Sequence, residues 1–366
     1  MDHDAVLALA DGSVFYGESI GASGSFQGEL VFNTSPTGYQ EILTDPSYAG
    51  QIILFTAPHI GNVGINEEDW ESDRIWAGGM ITRFWSNHVS HWRSQRDLKG
   101  FLKDQGTVGI SGIDTRALTH NLRNTGSQNA CIIAGCIDPI LATQRARQCL
   151  DLSNAHLTEQ VTCKSMYFLS NESSVFHVIV VDFGVKRSIL QQLLELGCRL
   201  TIVPASTPSE LIVSLLPDGV ILSNGPGDPA RCRHIIHTIQ ELLHYEIPIF
   251  GICLGHQLLA LASGAKTTKM PTGHHGANHP VIDVVTKRVS ITSQNHHFVV
   301  SEEELPSCLK ITHRSLFDGT IAGICRTDKP AFGFQGHPEA SPGPHDLHEL
   351  FKQFSRLMET SCAQKS

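Results

Sequence analysis

From Phe176 onward, short apolar runs alternate with amphipathic stretches: FHVIVVDFG, a helical pattern through Leu196, RLTIVPA, a second helix, GVILSNGPG, a third, IPIFGIC and a fourth. Runs this apolar tolerate water on neither face, so each requires a covering layer above and below. Repeated strand-helix alternation of that kind specifies α/β: an open, mostly parallel sheet with helices on both sides and right-handed crossovers. Gly197 marks the end of the first helix, and Thr207-Pro208-Ser209-Glu210 reads as a capping box with proline at the first helical position. Short strands return from about residue 280 to 334, and a final helix is expected near His345.

The first part of the chain follows a different pattern. Residues 6–9 and 14–16 read as strands flanking Asp11-Gly12, followed by strands at 29–33 and 51–56. Helices are expected near 97–104 and from Asp114, a good N-cap, to 124, with Gly126 just beyond. Residues 157–174 are polar and without periodicity. The expected organisation is therefore a β-rich α/β domain at 1–155, a linker at 156–175 and the α/β domain at 176–366. Two domains suit a chain of 366 residues.

Composition narrows the function. With 41% hydrophobic and 17% charged residues the chain builds a packed interior, and its net charge of −9 comes without any basic block that could follow a phosphate backbone. Nucleic acid is thereby excluded as a partner. The acidic start, Met1-Asp2-His3-Asp4, is unlike a secretory signal, and no apolar run reaches the roughly 18 residues of a membrane span, so a cytoplasmic location without membrane contact is expected. Ten cysteines without a CxxC pair read as reduced core thiols, with Cys253 the exception.

Cys253 lies in Gly251-Ile252-Cys253-Leu254-Gly255, between the strand-like IPIF and the apolar helix HQLLALA. A nucleophile at the tip of a sharp strand-to-helix turn needs glycine two places either side, because side chains there would collide with backbone. The same turn sets the sulfur at a helix N-terminus, where the macrodipole and unpaired N–H groups favour thiolate over thiol, and it aims the Leu254 N–H at an oxyanion. Ser223-Asn224-Gly225-Pro226-Gly227-Asp228-Pro229 also follows a predicted parallel strand, so its loop should border the same crevice. Residue types alone do not select a general base from 20 histidines. His337 in AFGFQGHPE is one candidate, since Glu339 two residues on could orient its ring.

Together GICLGHQ, SNGPGDP and HPE resemble the class I (triad) glutamine amidotransferases, with 84 residues from Cys253 to His337. NTSPTGYQEILTDPSYAGQI, PHIGNVGIN, IDTRALT, GHHGANHPV, SQNHHF, SLFDGT and FQGHPEASPGPHD extend the resemblance over essentially the whole chain to the carbamoyl phosphate synthetase small subunits. That resemblance implies Cys253 as nucleophile, His337 as base and acid, and Glu339 as its orienting carboxylate. It implies glutamine contacts from Ser47, Gly225, Gly227, Leu254, Gln257, Asn295, His297 and Phe298, with Ser47 placing the site near a domain interface. It further implies release of ammonia to a large subunit that makes carbamoyl phosphate from bicarbonate and ATP, for arginine and pyrimidine synthesis. The small chain itself would hold no cofactor, ATP and divalent metal being expected in the large subunit. His297 stands where the family usually has glycine, so strain or a narrowed pocket is expected if that glycine has a positive φ or admits substrate closely. One rival reading is a binding or regulatory subunit with an inert sulfur. Another is a zinc protein using His274, His275, His279, His296 and His297, although their spacing fits no standard ligand motif.

Overall fold

The computed structural model describes residues 3–149, 157–171 and 174–365, so the boundary expected at 155–156 falls outside the described residues. The chain divides into two compact units, Met1–Leu157 with Pro271–Gly276, and Thr158–Met270 with Ala277–Ser366. The first is built on a closed barrel of strands ordered Ala5–Leu9, Val14–Ser19, Val108–Ser111, Gly79–Thr82, Gln51–Phe55, Gly24–Asn33 and Gln128–Ala134. Its interior is aliphatic, with Leu7, Leu30, Ile52, Leu54, Ile81 and Ile132 fully buried. Two helices start where their caps predict: the side chains of Asp97 and Asp114 accept hydrogen bonds from the Gly100 and Ala117 amides at 2.7 and 3.1 Å.

A ten-stranded sheet organises the second unit, in the order Tyr167–Leu169, Cys198–Pro204, Phe176–Asp182, Gly219–Leu222, Ile249–Ile252, Ala331–Phe334, Ile321–Arg326, Leu309–Ser315, Thr267–Asp283 and Val289–Val300. From Cys198–Pro204 through Ala331–Phe334 every neighbouring pair is parallel, as the apolar runs require. One face packs under the helices Arg187–Glu195 and Glu349–Lys365 through Phe250, Leu193, Phe351 and Phe354. The other packs under Arg233–Leu242 and Leu254–Ala262 through Ile179, Val220, Ile239 and Leu258. Burying a core side chain of this size is worth about 1.5–3 kcal/mol, so two covered faces readily hold the central strands in one register.

Four expectations need correction. The stretch expected as linker carries a helix, Leu157–Val161, and an edge strand, Tyr167–Leu169, which pairs antiparallel with Cys198–Pro204. The strand is only three residues long, with Tyr167 and Phe168 exposed, which is too short to show an alternating pattern among its polar flanks. Pro271–Gly276 groups with the first unit although it lies inside the second half of the sequence. Its Pro271 and His275 carbonyls accept hydrogen bonds from the Ser127 and Thr34 amides at 3.0 and 3.1 Å. The capping box is not formed: the helix Ser209–Ser214 starts one residue later than expected, with Pro208 at its N-cap and no side-chain cap, and the Ser209 hydroxyl donates to Glu241 at 2.5 Å. The last helix begins at Glu349, a turn after His345.

Candidate active site

Four adjacent parallel strands end at one edge of the sheet, and each delivers a polar group there. Register pairs Val181 with Leu222, Leu222 with Gly251, and Gly251 with Gly333. The residues just beyond those ends, Lys186, Ser223 to Gly225, Cys253 and His337, are therefore neighbours although up to 151 positions separate them. The carboxyl edge of a parallel sheet is where such folds hold their ligands.

The elbow at Cys253 has the geometry its glycines predict. Cys253 takes φ 52° and ψ −104°, a region in which a side-chain-bearing residue is strained by about 1–3 kcal/mol. Parallel pairing continues one step past the strand, since the Cys253 amide donates to the Phe334 carbonyl at 2.9 Å. A methyl group at Gly251 would lie 2.5 Å from the Gly255 carbonyl oxygen, and one at Gly255 would lie 2.0 Å from that of Leu222. Gly225 is equally constrained, with the Phe183 oxygen 2.1 Å from where its Cβ would be. Gly227 has φ 98°, a left-handed value that favours glycine. Ser223 and Asn224 knit the loops together: the Ser223 carbonyl accepts from Gly255 N at 3.0 Å, its hydroxyl from Phe183 N at 2.9 Å, and the Asn224 side chain from Lys186 N at 3.2 Å.

His337 and Glu339 are both buried, and the His337 Nδ1 lies 2.7 Å from Glu339 Oε1. Lys186, also buried, places its Nζ 2.8 Å from the same oxygen and donates to the Ser341 carbonyl. Burial alone would raise the Glu339 pKa; the charges of Lys186 and His337 reverse that and hold it down at about 2. For His337, burial alone would lower the pKa, but the Glu339 charge and the interactions with Cys253 raise it well above the ordinary histidine value. Its Nε2 has no fully formed hydrogen bond, although Cys253 is close enough to favour the protonated ring. The His337 amide donates to the Ser293 carbonyl at 2.9 Å, which ties the loop to the strand Val289–Val300.

The expected glutamine contacts occupy both units. Ser47 lies buried in the first, in the short turn Pro46–Tyr48. Gly225, Gly227, Leu254, Gln257, Asn295, His297 and Phe298 belong to the second. The Cys253 thiol donates to the Asn295 carbonyl at 3.4 Å, and Gln257 Nε2 donates to the Phe298 carbonyl at 2.7 Å. His297 is buried in the extended strand Val289–Val300 and is not among the residues with left-handed φ, so the expected backbone strain is absent. No group of three or more His, Cys, Asp or Glu is gathered to hold a metal ion among the described residues, which leaves the five-histidine zinc reading without a cluster. Sequence reasoning missed Lys186 and Gln335. The available signal was position: Gln335 follows the strand Ala331–Phe334 directly and Lys186 lies four residues past Phe176–Asp182, both at the edge that carries Cys253.

A cysteine on a glycine-flanked elbow beside an imidazole-carboxylate pair from the next parallel strand defines a class of cysteine amidotransferase, and residues 179–357 match the family "Glutamine amidotransferase class-I". Residues 7–132 match "Carbamoyl-phosphate synthase small chain, CPSase domain". The chain is 55% identical to the carbamoyl phosphate synthase small chain of Pseudomonas aeruginosa, covering 98% of this chain and 99% of that one. It is 53% identical to that of Thioalkalivibrio sulfidiphilus over 99% of each, and 54% identical to that of Escherichia coli K12 over 98% of each. The chain belongs to the carbamoyl phosphate synthase small chain family.

Proposed function

We propose that this chain hydrolyses L-glutamine and supplies the ammonia to a carbamoyl phosphate synthase large subunit. The observation that carries the reading is the pairing of Ile249–Ile252 with Ala331–Phe334, which sets Cys253 beside the buried His337–Glu339 pair. The proton of the Cys253–His337 pair sits on the imidazole, and the sulfur attacks the side-chain amide carbon of glutamine as a thiolate. The carbonyl electron pair moves onto oxygen, where the backbone N–H groups of Leu254 and of the loop at Gly225 stabilise it. Collapse re-forms the carbonyl and breaks the C–N bond, while the leaving nitrogen takes the proton from His337 and departs as ammonia. Water, deprotonated by the same imidazole, then attacks the γ-glutamyl thioester; the C–S bond breaks and glutamate leaves.

Ser47, Gln257 and the backbone of Asn295, His297 and Phe298 are assigned to holding glutamine, and Glu339 to holding the ring of His337. These steps use only protein groups and water. ATP, divalent metal and bicarbonate are assigned to the large subunit, whose product serves arginine and pyrimidine synthesis, and the complex is assigned to the cytoplasm. Cys253→Ser tests the reading. It should lower glutamine-dependent synthesis by the assembled complex at least about 1,000-fold, in the range a nucleophile's loss produces, with ammonia-dependent synthesis retained. Unchanged glutaminase activity would defeat it.

A further inference from the structure

We propose that Gln335 is a further catalytic residue, whose side-chain amide donates a hydrogen bond to the Cys253 sulfur and holds its thiolate in place. The inference rests on Cys253 being the nucleophile. Gln335 follows the strand Ala331–Phe334 directly and is 1% exposed. Its Nε2 lies 3.8 Å from Cys253 Sγ, and its Oε1 lies 3.1 Å from Gln257 Nε2.

The orientation of that amide is dictated by its surroundings. Gln257 Nε2 carries two hydrogens; one goes to the Phe298 carbonyl at 2.7 Å and the other faces Gln335 at 3.1 Å. A flipped Gln335 would set one NH2 group against another, with neither able to accept, between two buried side chains. The Phe298 carbonyl therefore fixes Gln257, Gln257 fixes the oxygen of Gln335, and the Gln335 NH2 is left aimed at sulfur. Phe298 belongs to the strand Val289–Val300, so the chain of bonds starts on rigid backbone.

The two groups bracketing the sulfur serve different protonation states. As a thiol, Cys253 donates to the Asn295 carbonyl at 3.4 Å. Once His337 removes the proton that bond is gone, and the carbonyl dipole opposes the negative sulfur. The Gln335 N–H favours the charged form and compensates, since hydrogen bonds to ionised groups are the stronger kind. Gln335 is thus selective for the reactive state, whereas Asn295 is selective for the resting one.

Two variants test this in the assembled complex. Gln335→Leu removes the donor; Gln335→Glu keeps the size and the acceptor facing Gln257 but turns a carboxylate oxygen toward sulfur. The readout is the rate of iodoacetamide alkylation of Cys253 against pH, located by mass spectrometry of its peptide because nine other cysteines are present. The midpoint should rise by about one pH unit in Gln335→Leu, a tenfold loss of thiolate at any pH below the parent's midpoint, and further in Gln335→Glu. Glutaminase kcat should fall with it, about tenfold or more, while KM for glutamine stays within about twofold. An unchanged alkylation midpoint in either folded variant, or a rise in KM alone, overturns the proposal. If one variant fails to fold, the other decides. Alkylation needs no glutamine, so an enzyme that proved inactive on glutamine would defeat the functional reading and leave this question answerable.

Discussion

Glu339 receives two cations on one oxygen, the ring of His337 and the ammonium of Lys186, and all three groups are buried. Glu339→Gln would still accept a hydrogen bond from His337 but would strand the Lys186 charge. Leaving one member of a buried pair alone costs about 3–5 kcal/mol, so urea unfolding at pH 7 should show a loss of that size. The same substitution removes the largest influence raising the His337 pKa, and a histidine titration by NMR should show a lower midpoint. His297→Gly separates two effects at a neighbouring position. Its backbone is extended, with no left-handed φ to relieve, so glycine should cost roughly 1 kcal/mol through added unfolded-state entropy. A stabilised variant would show that the histidine had been strained after all; a lowered KM for glutamine would report only the bulk of the ring.

At the level of elements, the elbow is a contact between backbones. Gly255→Ala would press a methyl group to 2.0 Å from the Leu222 carbonyl oxygen, and Gly251→Ala to 2.5 Å from that of Gly255. Carbonyls inside a sheet and at a helix start cannot yield, so either variant should lose soluble expression or fall at least 100-fold in glutaminase activity, the penalty of misplacing a reacting atom by about 1 Å. This element was legible in the sequence because its constraint is local: glycine, one residue, cysteine, one residue, glycine. The general base was not legible from residue types, because the contact depends on which strand lies beside Ile249–Ile252. That neighbour, Ala331–Phe334, is fixed by the order of the sheet. Lys186 and Gln335 were hidden for the same reason, lying in segments whose local pattern marks only a strand end. The edge strand Tyr167–Leu169 was hidden by its shortness and exposure, and the capping box at Thr207 gave way to a helix that starts one residue later, with Pro208 as its N-cap.

For the molecule as a whole, buried titrating groups set the pH range of stability. His256 is fully buried in the helix that follows Cys253, packed against Gly333, and burial, offset only in part by the Gly333 backbone, pushes its pKa down to about 4. It folds neutral, so below pH 6.5 the unfolded chain binds a proton that the folded chain refuses, and stability falls as the pH drops from 6.5 toward 4. A shift of that size is worth about 3 kcal/mol at its full extent. Glu339, held down at about 2, adds its own loss from about 4.5 downward. His337 has the opposite sign: its raised pKa gives stability that is complete below 6.5 and fades as the pH climbs toward about 10. His256→Leu should therefore keep about 3 kcal/mol that the parent loses at pH 4, since an apolar side chain of similar size has no proton to take up. The loss must be followed by circular dichroism during urea unfolding. All four tryptophans, at 70, 76, 85 and 92, lie in the unit that lacks these groups, so their fluorescence reports the other half of the chain. Equal acid sensitivity in parent and variant would show that His256 takes up its proton in the folded state.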